Sequence, residues 1–329
     1  MSAQIHEADT VSPRTTRLAP SPTGALHLGN AWAFVLAWTI ARQRGWQVVL
    51  RIDDLDGPRI KRGAAEGAIR TLEWLGLDWD HGPVYESSWT HIYRERLAEL
   101  AAAGQIYPCR CTRSQIQQAA LSAPHADSHE LRYPGTCRPP ELTAWEFSAP
   151  EHDGAAWRIA VKPGLTEFND QIRGPQSFDI NQTVGDFLVA TKDRYPTYQL
   201  AVVIDDNLQS ITDVIRGIDL LDSTARQMLI QRLLGMSPVR YWHTPLVVGP
   251  DGLRLAKRHG DTRVEYYAEH GVRREQIWGL LGFWAGLHGQ RQPLAAEEFV
   301  AGFCLENLPL QTIVFDREDH DWLMELATR

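Results

Sequence analysis

The chain has 329 residues, 43% of them hydrophobic and 22% charged, with 33 Lys and Arg against 41 Asp and Glu for a formal net charge of −8. That length carries a full core with room for two domains or a domain with an insertion, and the composition excludes extended disorder. The acidic balance excludes a polycationic surface, so any nucleic-acid contact has to use a local basic strip. There is no run of about 18 apolar residues, and the opening MSAQIHEADTVSPRTTR has neither the basic nor the apolar region of a secretion signal. A cytosolic monomer with no membrane partner is the expectation.

Residues 15–19 (TTRLA) read as a short strand, and 30–44 as a helix opened by Asn30 and closed by Gly45. WQVVLRI, 46–52, has the continuous apolar character of a buried parallel strand, and a Gly-Pro break at 57–58 precedes a second helix over 62–75. Strand, helix, strand, helix at this spacing predicts a doubly wound parallel α/β fold. From about 86 the pattern changes to a helix over 89–103, a turn-rich cysteine segment and many prolines through 140, which sets 86–184 apart as an inserted subdomain. Winding is expected to resume near 185, with ITDVIRG as a strand and STARQMLIQRLLG as a helix capped by Ser223 and stopped by Gly235. WHTPLVVGPDGLRLAKR, 242–258, reads as two extended segments around a Pro-Asp-Gly turn leading into a basic loop. The expected division is 1–85 and 185–260 for the two halves of the α/β domain, 86–184 for the insertion, and 261–329 for a stem of short helices.

Two constellations carry chemistry. SPTGALHLGN lies between the first strand and the first helix, where ligands bind in a doubly wound sheet. Gly24 and Gly29 let backbone approach closely, the helix N-terminus favours a triphosphate, and His27 can donate to phosphate oxygens as charge builds at the α-phosphorus. Alone, a His-x-Gly would mean no more than a capped helix start. The second constellation is Cys109, Cys111 and Cys137, with Cys304 apart: three thiolates in a reducing compartment suit a metal better than disulfides. Zinc needs a fourth donor, and on chemistry His125 or His129 would serve; so many thiolates point to a structural ion.

R-x-A-P-S-P-T-G-x-L-H-x-G at 17–29, R-I-D-D-L-D at 51–56, V-I-R-G-x-D-L-L at 214–221 and a Lys-bearing loop occur in that order. Together they resemble the catalytic domain of class I glutamyl-type aminoacyl-tRNA synthetases over about residues 15–260. The resemblance implies a Rossmann-like class I synthetase fold, with ATP bound by His27, Gly29, Asn30 and Lys257. Arg254-Leu255-Ala256-Lys257-Arg258 matches the family's Lys-Met-Ser-Lys-Ser, with Arg for the first Lys and Ala for Ser; Lys257 keeps the cation for the leaving pyrophosphate. His27 and Lys257 are thus the catalytic candidates, with Mg²⁺ accompanying ATP.

L-glutamate is implied as the substrate. Arg17 and Arg216 would grip its side-chain carboxylate, since the guanidinium fork suits a carboxylate better than Lys does. Asp53, where relatives carry Glu, and the Tyr198 hydroxyl would take its ammonium, with Ala19 and Ser21 completing the wall. The family also supplies Tyr133 as the fourth zinc ligand. The 71 residues after Arg258 are too few for the anticodon-reading domains of an ordinary glutamyl-tRNA synthetase. This points to a truncated branch of the family that places glutamate on the queuosine base of tRNA(Asp). The alternatives are a minimal enzyme charging a tRNA 3′ end and an inactive, zinc-bearing RNA-binding module. Arg110, Arg113, Arg132 and Arg138 near the cysteines are candidate phosphate contacts.

Overall fold

The computed structural model describes residues 13–55, 57–121, 132–255 and 260–327. It opens with β1 (Thr15–Leu18), α1 (Leu28–Gln43), β2 (Gln47–Ile52), α2 (Ala64–Leu75) and β3 (His81–Tyr85), the strands pairing in parallel in the order β1-β2-β3. Five of the six β2 residues are buried, as a strand covered on both faces requires. β3 was not anticipated: HGPVY is short, exposed over its first three residues and punctuated by Gly and Pro, so its pairing comes from β2 rather than from its own pattern.

The next stretch holds α3 (Thr90–Ala102), β4 (Ile106–Cys109), α4 (Arg113–Leu121), β5 (Ala156–Ile159), the hairpin β6 (Thr166–Asp170) and β7 (Gly174–Phe178), α5 (Ile180–Thr183) and β8 (Leu188–Ala190). β4, β5 and β8 form an antiparallel sheet, so the chain at 185–190 still belongs to that sheet. After α6 (Tyr198–Leu208), parallel winding returns at β9 (Asp213–Gly217), later than the expected resumption near 185. α7 (Leu221–Leu233) leads to β10 (Arg240–Thr244), parallel to β9. β9 also lies beside β1: Thr212 N–H donates to the Thr15 carbonyl at 2.9 Å, and the Arg17 guanidinium to the Ile215 carbonyl at 3.3 Å. The three-stranded sheet β3-β2-β1 and the two-stranded sheet β9-β10 thus lie side by side, with β1 next to β9.

Two helix starts differ from expectation. α1 begins at Leu28, with His27 rather than Asn30 as its cap. α7 begins at Leu221, so Ser223 sits inside the first turn, where its hydroxyl accepts from Gln199 at 3.0 Å and Arg226 at 3.1 Å. Gly45 and Gly235 do follow the helix ends with φ of 63° and 62°.

β11 (Val247–Val248), α8 (Val264–Glu269), α9 (Arg274–Trp284), α10 (Ala296–Gly302), β12 (Ile313–Val314) and α11 (Arg317–Ala327) complete the chain. β12 pairs with β11, and Val248 bridges Arg254 across the 249–253 turn. The main core joins Leu18, Trp32, Leu36, Val48 and Leu50 to Trp278, Trp284 and Phe299 of the last helices, and the Trp278 indole donates to the Leu75 carbonyl at 2.8 Å. A second core collects Tyr93, Leu97, Trp157, Val189, Leu200, Ile204 and Ile230. No helix among the described residues is long and apolar enough to cross a membrane.

Candidate active site and metal centre

The loop between β1 and α1 ends in a reciprocal cap. His27 Nδ1 accepts the Asn30 backbone N–H at 3.2 Å, and Asn30 Oδ1 accepts the His27 N–H at 3.0 Å. An accepting Nδ1 puts the ring proton on Nε2, which leaves His27 a neutral donor. Burial, and then the charge of Arg254, lower its pKa further below the ordinary histidine value. Gly29 leaves room beside it: a Cβ there would stand 3.1 Å from the imidazole and press on the ring. Leu28 N–H donates to Thr262 and Val264 N–H to Leu26, both at 2.9 Å, so the histidine segment is bridged to the chain just beyond the Lys loop. Lys257 lies outside the described residues. His27 opens onto a cavity of about 860 Å³ whose wall carries Lys61, Arg62 and Arg70, all exposed.

Arg17 and Asp53 belong to one buried polar network. Asp206 accepts from Arg17 Nε at 3.2 Å and from Arg51 Nη1 at 2.7 Å, and Arg51 Nε reaches Asp53 at 2.7 Å. Burial works against the Asp206 charge, but the two guanidinium groups outweigh it and hold its pKa below the usual carboxylate value. Asp53 is pushed the other way by burial, with Arg51 pulling against the rise. Behind it, burial and the neighbouring Asp53 lift Glu86 to about 11, and Glu86 hydrogen-bonds Asp205, itself lifted by burial to about 6. Asp205 accepts the Tyr93 hydroxyl at 2.5 Å. The Asp53 N–H donates to Pro20 O at 3.1 Å and Thr23 N–H to Ser21 O at 2.8 Å, which lays half-buried Ala19 and exposed Ser21 over the end of β2.

Arg216, at the end of β9, is held by a second set of groups. Its Nε donates to His243 Nε2 at 3.1 Å, Nη1 to Gln227 Oε1 at 2.7 Å, and Nη2 to Thr224 Oγ1 at 2.8 Å and Leu220 O at 3.2 Å. Gln227 Nε2 in turn donates to Gln199 Oε1 at 3.0 Å, which links Arg216 to the first turn of α6 where Tyr198 stands. Tyr198 is 42% exposed, and its hydroxyl has no hydrogen-bond partner among the described residues. Arg17, Asp53, Tyr198 and Arg216 were legible in the sequence; Arg51, Glu86, Asp205, Asp206 and His243, whose partners lie far along the chain, were not.

The cysteine segment converges on one point. The Sγ atoms of Cys109, Cys111 and Cys137 all lie within 4.8 Å of one another. The Tyr133 hydroxyl stands 3.4 Å from Cys109 Sγ and 3.7 Å from Cys111 Sγ, and accepts the Cys137 N–H at 2.8 Å. Arg158 stacks 3.8 Å over the Tyr133 ring and donates to Cys109 Sγ at 3.3 Å. Burial raises the Cys137 thiol, but hydrogen bonds from the Arg110 backbone and neighbouring groups win and bring it to about 7. Three soft sulfur donors with a converging oxygen form a donor set that suits a metal ion. His125 and His129 fall outside the described residues. Of the four arginines nearby, Arg110, Arg132 and Arg138 are engaged with backbone carbonyls, and Arg138 also with Asp186, whereas Arg113 is exposed.

Parallel strands in this arrangement, with a capped histidine at the first strand's end and two arginines on neighbouring strands, have the architecture of a class I synthetase. The chain belongs to the family of class I tRNA synthetases (E and Q), whose catalytic-domain model matches residues 14–322. The Glutamyl-Q tRNA(Asp) synthetase of Symbiobacterium thermophilum is 45% identical over 308 residues, spanning 90% of this chain and 94% of its own length. That of Nitratidesulfovibrio vulgaris is 41% identical over 323 residues, 95% of this chain and 99% of its own. The glutamate–tRNA ligase of Oleidesulfovibrio alaskensis is 35% identical over 95% of this chain but only 66% of its own length. In fold, the crystal structure of a glutamate tRNA ligase from Elizabethkingia meningosepticum matches with a TM-score of 0.77 at 24% identity, over 95% of this chain and 69% of that one.

Proposed function

We propose that this chain activates L-glutamate with Mg²⁺-ATP and transfers the glutamyl group to the queuosine base in the anticodon of tRNA(Asp), working in the cytosol as a monomer. The observation that carries the reading is the near end-to-end correspondence with two Glutamyl-Q tRNA(Asp) synthetases, against a match to only two thirds of a glutamate–tRNA ligase. The same reading gives a first catalytic half at 1–85, an insertion from 86 that runs through β8, a second catalytic half that resumes parallel winding at β9 and ends at 260, and a stem at 261–329.

In the first step a glutamate carboxylate oxygen bonds to the α-phosphorus and the bond to the β-phosphate oxygen breaks, releasing pyrophosphate. Charge grows on the α-phosphate oxygens as it does so. His27, with its proton on Nε2, is the donor suited to that charge; Asn30 holds it at the start of α1 and Gly29 leaves room beside its ring. Lys257 would meet the pyrophosphate. Arg17 and Arg216 grip the side-chain carboxylate, Asp53 and Tyr198 the ammonium, and Ala19 and Ser21 wall the pocket. In the second step a ring hydroxyl of queuosine attacks the activated carbonyl and AMP leaves. Lys61, Arg62 and Arg70 beside the His27 cavity supply the local basic strip that an acidic protein needs in order to receive RNA.

One Zn²⁺, held by Cys109, Cys111, Cys137 and the Tyr133 oxygen, is structural in this reading. It would tie β4 to the 133–137 turn and leave no coordination position for a reactant.

Digestion of unfractionated tRNA after incubation with radioactive glutamate tests the proposal. Label in the anticodon fragment supports it, and label at the 3′ end favours the minimal charging enzyme. Absence of glutamate-dependent pyrophosphate exchange favours the inactive module.

A further inference from the structure

The Asp170–His243 pair has no part in the chemistry just outlined, yet it is built with care. His243 and Asp170 are 0% and 1% exposed, and His243 Nδ1 lies 2.6 Å from Asp170 Oδ2. Asp170 is itself pinned by the hairpin turn: its Oδ1 accepts from Ile172 N–H at 3.0 Å and Arg173 N–H at 2.8 Å. Arg173 closes the loop by donating to the His243 carbonyl at 2.9 Å. An ionised carboxylate only accepts, so it draws the ring proton to Nδ1 and leaves Nε2 as a bare lone pair. Burial keeps the ring neutral, lowering its pKa, with Asp170 opposing and Arg216 assisting that shift.

That lone pair faces Arg216 Nε at 3.1 Å. A guanidinium cannot accept, so the contact exists in one tautomer of His243 and becomes a donor–donor clash in the other. With Nε on His243, Nη1 on Gln227 and Nη2 on Thr224 and Leu220, four of the five N–H groups are occupied. One N–H of Nη1 has no partner among the described residues, in a plane the protein has already fixed.

We infer that His243 and Asp170 are positioning residues for glutamate recognition: the hairpin of the inserted segment sets the His243 tautomer, and the imidazole sets the plane of Arg216. This rests on the reading in which Arg216 grips the substrate carboxylate. A guanidinium free to rotate would bind that carboxylate more weakly but leave ATP untouched. The effect therefore falls on one substrate.

The test is glutamate-dependent ATP–pyrophosphate exchange with the full chain. In His243→Phe, which fills the space but removes the acceptor, KM for glutamate rises about tenfold or more while KM for ATP stays within about twofold. His243→Gln, whose Oε1 can take the place of Nε2, recovers most of the loss. Asp170→Asn, whose amide can turn its NH₂ toward the ring and reverse the tautomer, gives a smaller rise and serves as the test if His243→Phe does not fold. Arg216→Ala is the reference. If it raises KM for glutamate but the His243 and Asp170 variants do not, the inference is overturned and the reading of Arg216 stands. If both KM values move together and Gln rescues nothing, His243 is merely structural. If Arg216→Ala leaves KM for glutamate unchanged, the assignment of Arg216 fails and the inference fails with it.

Discussion

His27 and Asn30 each accept a hydrogen bond from the other's backbone, so the group proposed to meet the α-phosphate is also the cap of α1. The two roles use different ring atoms and separate by substitution. Asparagine is a good cap that has no atom equivalent to Nε2–H. In His27→Asn the melting temperature is expected to hold within a degree or two, while pyrophosphate exchange falls by about 10²–10³, the cost of one charge-stabilising donor. Asn30→Ala should do the opposite first: it loses about 1 kcal/mol of stability through the cap, read by urea unfolding.

The Glu86–Asp205 pair makes stability depend on pH. Glu86, lifted to about 11, keeps its proton when folded, whereas an unfolded glutamate gives it up above its ordinary value of 4.5. The folded chain therefore binds the extra proton, and stability falls as pH rises from about 4.5 toward about 11. Glu86→Gln keeps a neutral donor to Asp205 without needing a proton. Melting temperatures from pH 6 to 9 should decline in the parent protein and flatten in the variant.

The metal centre gives a compositional test. Metal analysis of the purified chain is expected to find one zinc, and Cys109→Ser to remove it, with a lower melting temperature as the tie between β4 and the 133–137 turn is lost. In Tyr133→Phe the ring still stacks under Arg158, so any weakening of zinc measured against a chromophoric chelator reports the phenol oxygen alone. Unchanged affinity there would take Tyr133 out of the ligand set.

Gly279 tests the stem. A Cβ at this position of α9 would fall 1.8 Å from the Gln292 carbonyl oxygen, a backbone atom that cannot swing aside. Gly279→Ala is expected to destabilise by about 1–3 kcal/mol, the range for overpacking, in a chemical unfolding curve.

Much of this was legible because the informative residues are local. The strand before SPTGALHLGN, the apolar run of β2 and the helix after β9 announce themselves by periodicity, and the three cysteines by spacing. What stayed hidden depends on partners far along the chain. Arg51 looks like an interruption of an apolar strand until Asp206, 155 residues later, is set against it. A signal was present: two aspartates end the apolar stretch LAVVIDD, and buried acids call for cations. Asp170 gave no such sign, because the hairpin that brings it to His243 carries no strong turn pair and is fixed by docking on β10, with Gln171 N–H donating to Tyr241 O at 2.9 Å. The start of α1 was misplaced because histidine is not a common cap and Asn30 is; the site's own geometry overrode the preference.

Trp278 and Phe299 lie against the same apolar surface as Trp32 and Leu36 of α1, though the two pairs are separated by most of the polypeptide. During synthesis α1 thus leaves the ribosome long before the side chains that cover its back. A nascent chain halted at residue 260 would hold nearly every group assigned to the reaction and still expose bare indole and leucine to water, so a chaperone or an aggregate would find it before a substrate did.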